Sequence, residues 1–184
     1  MQKIVWELEC LSAPKVIKYC KRCEAKKKYE SSGLFRINAQ RKSLDVWLIY
    51  KCENCNDTWN AKIYDRISPQ KIDAQTLERF HQNDRQLADS YAMNFEWLKK
   101  NQADVDLPAY VVRGPDLSFG SDTEIWIKNP SVLPYRISTV LRKKLSLSRN
   151  QFEDFILQCQ LKSSTDGDLK KAKLSKEAVI IYYK

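Results

Sequence analysis

Cys20-Lys-Arg-Cys23 and Cys52-Glu-Asn-Cys55 decide how this chain is read, with residues 24 to 51 between them. Each C-x2-C pair places two thiols on one side of a tight turn. Two such turns brought together form a tetrahedral four-sulfur cage, with metal–sulfur bonds of about 2.3 Å for zinc. Cys20, Cys23, Cys52 and Cys55 are therefore the candidate ligands of one Zn2+. Four sulfurs leave no position for water or substrate, so the expected role is structural rather than catalytic. Disulfides belong to oxidising compartments, and a redox C-x-x-C sits singly at the start of a helix. Neither fits this pattern. An iron–sulfur cluster remains the alternative, because four thiolates also hold iron.

The flanking residues predict a zinc ribbon. Leu34 to Asn38 reads as a strand, Ala39 to Ser43 as a polar turn, and the β-branched and aromatic run Leu44 to Tyr50 as a second strand leading into Cys52. Trp59, Ala61 and Ile63 alternate with polar neighbours, which predicts a third strand with one buried face. Asn56, directly after the last cysteine, suits a left-handed backbone that completes a knuckle. Glu24, after Cys23, has no such preference. Structural zinc contributes about 10–16 kcal/mol in small peptides, against about 5–15 kcal/mol for a whole domain. A ribbon of this size is expected to need its metal.

The 184 residues suffice for two or three small modules, and 4 Gly and 6 Pro argue against long disordered linkers. The net charge of +9 is uneven. Residues 1–66 carry 14 basic and 8 acidic side chains, residues 67–132 carry 7 and 10, and residues 133–184 carry 11 and 5. Two basic ends flank an acidic middle, so a polyanion, if bound, is expected at the ends. Lys26-Lys27-Lys28 is expected as a basic loop beside the first knuckle. The N-terminal residues lack a basic-then-apolar signal pattern, and no apolar run approaches 18 residues. A cytoplasmic chain with no membrane span is expected. Cys10 and Cys159 read as small buried hydrophobes.

The α+β expectation has three parts: a ribbon over 1–66, a helical and loop segment over 67–132, and a two-helix-plus-hairpin domain over 133–184. Ile4 to Glu9 is expected as a leading strand of the first part. Asp73 is expected to cap a helix over Ala74 to His81. Asn83 or Asp84 caps a longer helix reaching Lys100, with Leu87, Tyr91, Phe95 and Leu98 as its apolar stripe. His81, the only histidine, reads as a boundary residue. Val111-Val112 and Ile125 to Ile127 are expected to pair as short strands. Pro134 suits the first turn of a helix whose apolar face is Ile137, Val140, Leu141 and Leu145. Ser148 and Gln151 form a capping box between the hydrophobic staple positions Leu147 and Phe152. Its helix is expected to bury Phe152, Phe155, Ile156 and Cys159. An extended segment from Leu161, a turn at Asp166-Gly167 and a strand over Val179 to Tyr183 follow.

From Arg136-Ile-Ser138 through Leu141, Leu145 and Leu147-Ser148-Arg149 to Phe155-Ile156 and Gly167, the C-terminal part resembles a known module. It is the small RNA-binding domain named after ribosomal small-subunit protein S-four. That resemblance implies two antiparallel helices on a hairpin and RNA contact through Arg136, Arg142, Lys143, Arg149 and Lys162. Ser138 stands where that domain usually has Asp, and Cys159 where a Gly usually closes the second helix. Over most of its length the chain also resembles the bacterial domain of unknown function 1062 family. Leu44-Asp-Val-Trp-Leu-Ile-Tyr-Lys-Cys-Glu-Asn-Cys55 and Asp57-Thr-Trp-Asn60 carry that resemblance, which implies no activity.

These readings predict a zinc-ribbon protein that binds structured RNA, ribosomal or transfer, through its basic terminal modules. The alternative is a zinc-stabilised adaptor between proteins, with tryptophans as anchors. No enzyme is expected. Walker, G-x-G-x-x-G, H-E-x-x-H and nucleophile-elbow motifs are missing from the sequence, and a single histidine leaves little acid–base chemistry.

Overall fold

A computed structural model describes residues 1–40, 42–165 and 167–184. In chain order the strands are β1 (Gln2–Cys10), β2 (Lys15–Cys20), β3 (Ala25–Gln40), β4 (Ser43–Cys52), β5 (Thr58–Ile67), β6 (Asp104–Asp106), β7 (Tyr110–Arg113), β8 (Thr123–Lys128), β9 (Leu161–Ser163) and β10 (Glu177–Tyr182). The helices are α1 (Ala74–His81), α2 (Arg85–Ala92), α3 (Phe95–Lys100), α4 (Ile137–Leu145) and α5 (Arg149–Leu157). The protein is thus mixed α+β, with two five-stranded sheets.

The chain divides into two compact units, one of residues 12–108 and one of residues 1–11 with 109–184. This differs from three consecutive parts. The leading strand β1 does not join the cysteine-bearing sheet. It runs parallel to β8 and antiparallel to β7, in the sheet ordered β7-β1-β8-β10-β9. Its alternation, with Ile4, Trp6 and Leu8 buried, marks a strand but carries no information about its partner.

In the unit of residues 12–108 the order is β5-β4-β3-β2-β6. Strand alternation buries Leu44, Val46, Leu48, Tyr50 and Cys52 on one face of β4. Cys52, the first of the second cysteine pair, is therefore delivered into the core by the same period that builds the sheet. Helices α1, α2 and α3 contribute Phe80, Ala88, Ala92 and Leu98 to this core. Phe80 is 1 % exposed and meets Phe35 edge-on at 4.8 Å. Truncating it to Ala should cost about 3–5 kcal/mol.

β3 is longer than expected. It begins at Ala25, so Lys26, Lys27 and Lys28 lie in a strand and not in a loop. Its register shifts between Ser31 and Phe35, where Gly33 takes φ +73° and an added Cβ would come within 2.9 Å of Arg85 Nη1. The turn from β3 to β4 contains Arg41, outside the described residues. The long helix expected after Asp84 is two helices. Asn94 interrupts it, and its side chain accepts the Trp97 N–H at 3.0 Å as the cap of α3.

In the other unit, β7 and β8 do not pair with each other; both flank β1. β9 and β10 pair antiparallel, and β10 also pairs with β8. The turn at Asp166-Gly167 lies in part outside the described residues. Helix α4 starts at Ile137, so Pro134 lies before it. The Ile137 N–H donates to the Ala172 carbonyl and the Leu174 N–H to the Tyr135 carbonyl, holding that stretch extended until α4 begins. The capping box of Ser148 and Gln151 is present, and Phe152 is buried. Cys159 is exposed and lies beyond α5 with φ +60°, in the left-handed position that ends the helix. Cys10 is half-buried and hydrogen-bonded, with Ser131 Oγ at 3.3 Å and the Tyr135 hydroxyl at 3.4 Å.

Candidate metal centre and arginine cleft

Two hairpins build the cysteine site. β2 and β3 pair from Val16–Tyr29 to Cys20–Ala25, so the loop between them is the first knuckle. β4 and β5 pair up to Lys51–Thr58, and the second knuckle joins them. Because β3 and β4 are antiparallel neighbours, the start of one and the end of the other lie at the same edge of the sheet. Both knuckles therefore meet. The four sulfurs all lie within 4.8 Å of one another, with Cys20 and Cys55 at 3.4 Å and Cys23 and Cys52 at 4.0 Å. Tetrahedral geometry with 2.3 Å bonds needs edges of about 3.8 Å. The donor set fits a tetrahedral thiolate-bound ion, and the cysteines are free thiols, not disulfides.

The knuckles are alike in backbone. Asn56 has φ +60°, as its type suggests, and Glu24 has φ +51° at the equivalent place after Cys23. The Cys52 N–H donates to the Asp57 carbonyl at 2.8 Å, and the Asn56 N–H to the Cys52 carbonyl at 2.9 Å. Asn54 Nδ2 donates to Cys23 Sγ at 3.3 Å. Arg22 Nη1 donates to the Cys55 carbonyl at 3.3 Å and ties one knuckle to the other.

Tyr29 is the residue whose role the sequence did not announce. It is 2 % exposed, and its hydroxyl donates to Asp57 Oδ2 at 3.4 Å. The same hydroxyl is the main reason that the Cys20 thiol is pulled down to about 6. Burial, then the bond to Cys20, pushes the Tyr29 hydroxyl well above its ordinary range, so it stays a donor. At Cys55 the Asp57 backbone favours the thiolate, but burial and the three neighbouring sulfurs outweigh it and push that thiol up to about 12. A divalent ion would be held by Cys20, Cys23, Cys52 and Cys55 as thiolates, and its binding would release their protons.

The second constellation lies in the unit of residues 1–11 and 109–184. Arg136, Arg142 and Arg149 line one cleft of about 240 Å3 together with Lys170, Phe152 and Glu153. Ser138 and Thr139, in the first turn of α4, also line it. Arg149 Nε reaches Glu153 at 3.1 Å, and Arg142 Nε lies 3.5 Å from the Leu147 carbonyl. Three guanidiniums and an ammonium around such a space suit a phosphate-sized anion.

The other two candidates lie elsewhere. Lys143 Nζ donates to the Tyr110 carbonyl and sits 4.5 Å from the centre of the Tyr110 ring. Lys162 is exposed on β9, with its Nζ 5.5 Å from the Tyr183 ring. Lys170 was not singled out from the sequence, although the run Lys170-Lys171-Ala-Lys173 was visible as charge. His81 is exposed at the end of α1.

Fold and site together define an α+β protein with a four-cysteine cluster able to hold one metal ion. The family described as "Protein of unknown function (DUF1062)" matches residues 37–167, and the chain belongs to it. That span includes Cys52 and Cys55, and it ends before the Lys170 side of the cleft. No curated protein and no solved structure matches the chain. Among the described residues no helix is long and apolar enough to cross a membrane.

Proposed function

We propose that this protein is a non-enzymatic binder of structured RNA whose cysteine-bearing unit is a zinc ribbon held by one Zn2+. The observation that carries the RNA reading is the meeting of Arg136, Arg142 and Arg149 in one cleft with Lys170. Arg142 lies on α4, Arg149 opens α5, Arg136 is the cap residue just before α4, and the loop before β10 supplies the lysine. Guanidiniums bind phosphate oxygens in pairs, and such contacts fix a nucleic-acid backbone without reading bases. Zinc is favoured over iron because the paired knuckles on adjacent hairpins form the usual structural arrangement for it.

Filter binding of transfer RNA and of a ribosomal RNA hairpin, across a range of salt, tests the reading. Three or four phosphate contacts predict a log–log slope of about −3. The Arg136→Glu/Arg149→Glu variant, altered at two exposed positions, should bind at least about tenfold more weakly with a shallower slope. No binding of either RNA at low salt would remove the RNA half of the proposal and leave the metal half intact.

A further inference from the structure

The first knuckle carries a surface that the metal does not use. Strand alternation puts Tyr19 and its cross-strand partner Lys26 on the sheet face opposite Cys20 and Ala25. Tyr19 is 61 % exposed, while its sequence neighbour Cys20 is fully buried. An aromatic ring so open, at the knuckle end of β2 beyond the last residue that β6 pairs with, contributes little to the core. Residues 18–28 hold six basic side chains and one acid, Glu24. Among the described residues Lys21 and Lys26 make no ion pair.

Lys26 also lines a groove of about 330 Å3 with Lys27, Lys28, Glu53 and Asn54. Its one acid, Glu53, is held by Lys15. Lys28 is paired with Asp106 at 2.7 Å, and alternation turns Lys27 to the other sheet face, which leaves Lys26, among the described residues, as the uncompensated cation of the groove on the Tyr19 face. A flat π-face beside a positive groove, on a rigid hairpin, matches a strand of unpaired nucleotides. Bases stack on the ring while phosphates follow the lysines.

We propose that Tyr19 and the groove headed by Lys26 form a binding surface for single-stranded RNA. RNA is the polyanion that offers unpaired loops and ends as a matter of course, whereas a duplex presents no base face to a tyrosine. The site lies on the cysteine-bearing unit and does not rest on the arginine cleft.

The test is fluorescence anisotropy of the full-length, zinc-loaded protein with labelled dodecauridylate. A duplex RNA of equal length and dodecathymidylate serve as comparisons. Tyr19→Thr keeps strand propensity and removes the ring, and should weaken dodecauridylate binding about tenfold. Tyr19→Phe keeps the stacking face and should stay within about twofold. Lys26→Glu should weaken binding and reduce the salt slope by about 1. Arg136→Glu/Arg149→Glu should leave dodecauridylate binding unchanged, which separates this surface from the cleft. Should Tyr19→Thr lower the melting temperature, Lys26→Glu, fully at the surface, carries the test. Wild-type affinity in Tyr19→Thr or in Lys26→Glu overturns the proposal. So does equal or tighter binding of the duplex or of dodecathymidylate.

Discussion

Tyr29 and Cys52 stand directly opposite each other across β3 and β4, and both are buried. That single cross-strand pair relates the two cysteine motifs. β3 leaves the first knuckle four residues before Tyr29, and β4 runs into the second knuckle at Cys52. With the register set, the Tyr29 hydroxyl reaches the sulfur of Cys20 and the carboxylate of Asp57.

Tyr29→Phe should therefore weaken the metal site without emptying it. The hydroxyl favours the Cys20 thiolate, so its removal raises that thiol and lets protons compete better at any given pH. Outer-shell partners of this kind are worth about 10–100-fold in metal affinity. Competition with a chromophoric chelator measures the affinity. Acid titration should show metal release beginning at a higher pH than in the wild type. Unchanged affinity and an unchanged release curve would deny Tyr29 this role.

Glu24 occupies a left-handed backbone position that Asn56 fills in the other knuckle. A side chain of its type is strained there, while Asn tolerates the conformation. Glu24→Asn should stabilise the metal-loaded protein by about 0.5–1 kcal/mol. Urea denaturation with zinc present checks it, and a loss of stability would show that the Glu24 side chain does something the strain argument omits.

Asp84 gives a pH dependence with a definite sign. Its carboxyl is held below the ordinary range, first by the Arg79 side chain and then by the Leu87 N–H that it caps. A depressed carboxyl contributes stability above its unfolded value of about 4, and loses it as pH falls through the lower folded value. Asp84→Asn keeps an N-cap but removes the ion pair. The stability gap between wild type and variant should be constant above about pH 5 and shrink as the pH falls below the ordinary carboxylate value of about 4. A gap that stays constant into acid would mean the charge contributes nothing.

Asn129 is fully buried in the unit that holds the arginine cleft. Its amide donates to the Leu133 carbonyl at 2.9 Å and the Ser175 carbonyl at 2.7 Å, and its oxygen accepts from Ser131 at 2.9 Å. It joins the end of β8 to the segments before α4 and β10. Asn129→Ala removes the side-chain donor of the Ser175 carbonyl and leaves the Leu133 carbonyl with the Tyr135 N–H alone, and should cost about 2 kcal/mol in chemical denaturation. A cost under about 1 kcal/mol would imply that these groups find other donors.

The parts legible in the sequence were those fixed by local chemistry. The cysteine spacing, the alternation through β4, the left-handed Asn56, the Asp73 cap and the Ser148–Gln151 box each state their geometry within a few residues. Partnership was not legible. Ile4, Trp6 and Leu8 show that β1 has a buried face, yet its neighbours lie more than a hundred residues away in sequence. The spacing of Leu87, Tyr91, Phe95 and Leu98 runs unbroken through Asn94, because a capping Asn hardly disturbs an apolar stripe. Cys159 follows a helical period but falls two residues past the end of α5, where the chain has already turned to φ +60°. Within the arginine cleft the resemblance supplied three of the five proposed contacts. Lys143 escaped it because its place on α4 leads to Tyr110 instead.

The central claim is that one ion joins two hairpins through four sulfurs. X-ray absorption at the zinc edge, on protein purified without added metal and quantified for metal content, tests it most directly. The account predicts one zinc per chain with four sulfur neighbours at about 2.3 Å. Iron in place of zinc, nitrogen or oxygen in the first shell, or no bound metal in protein whose cysteines remain reduced would contradict it.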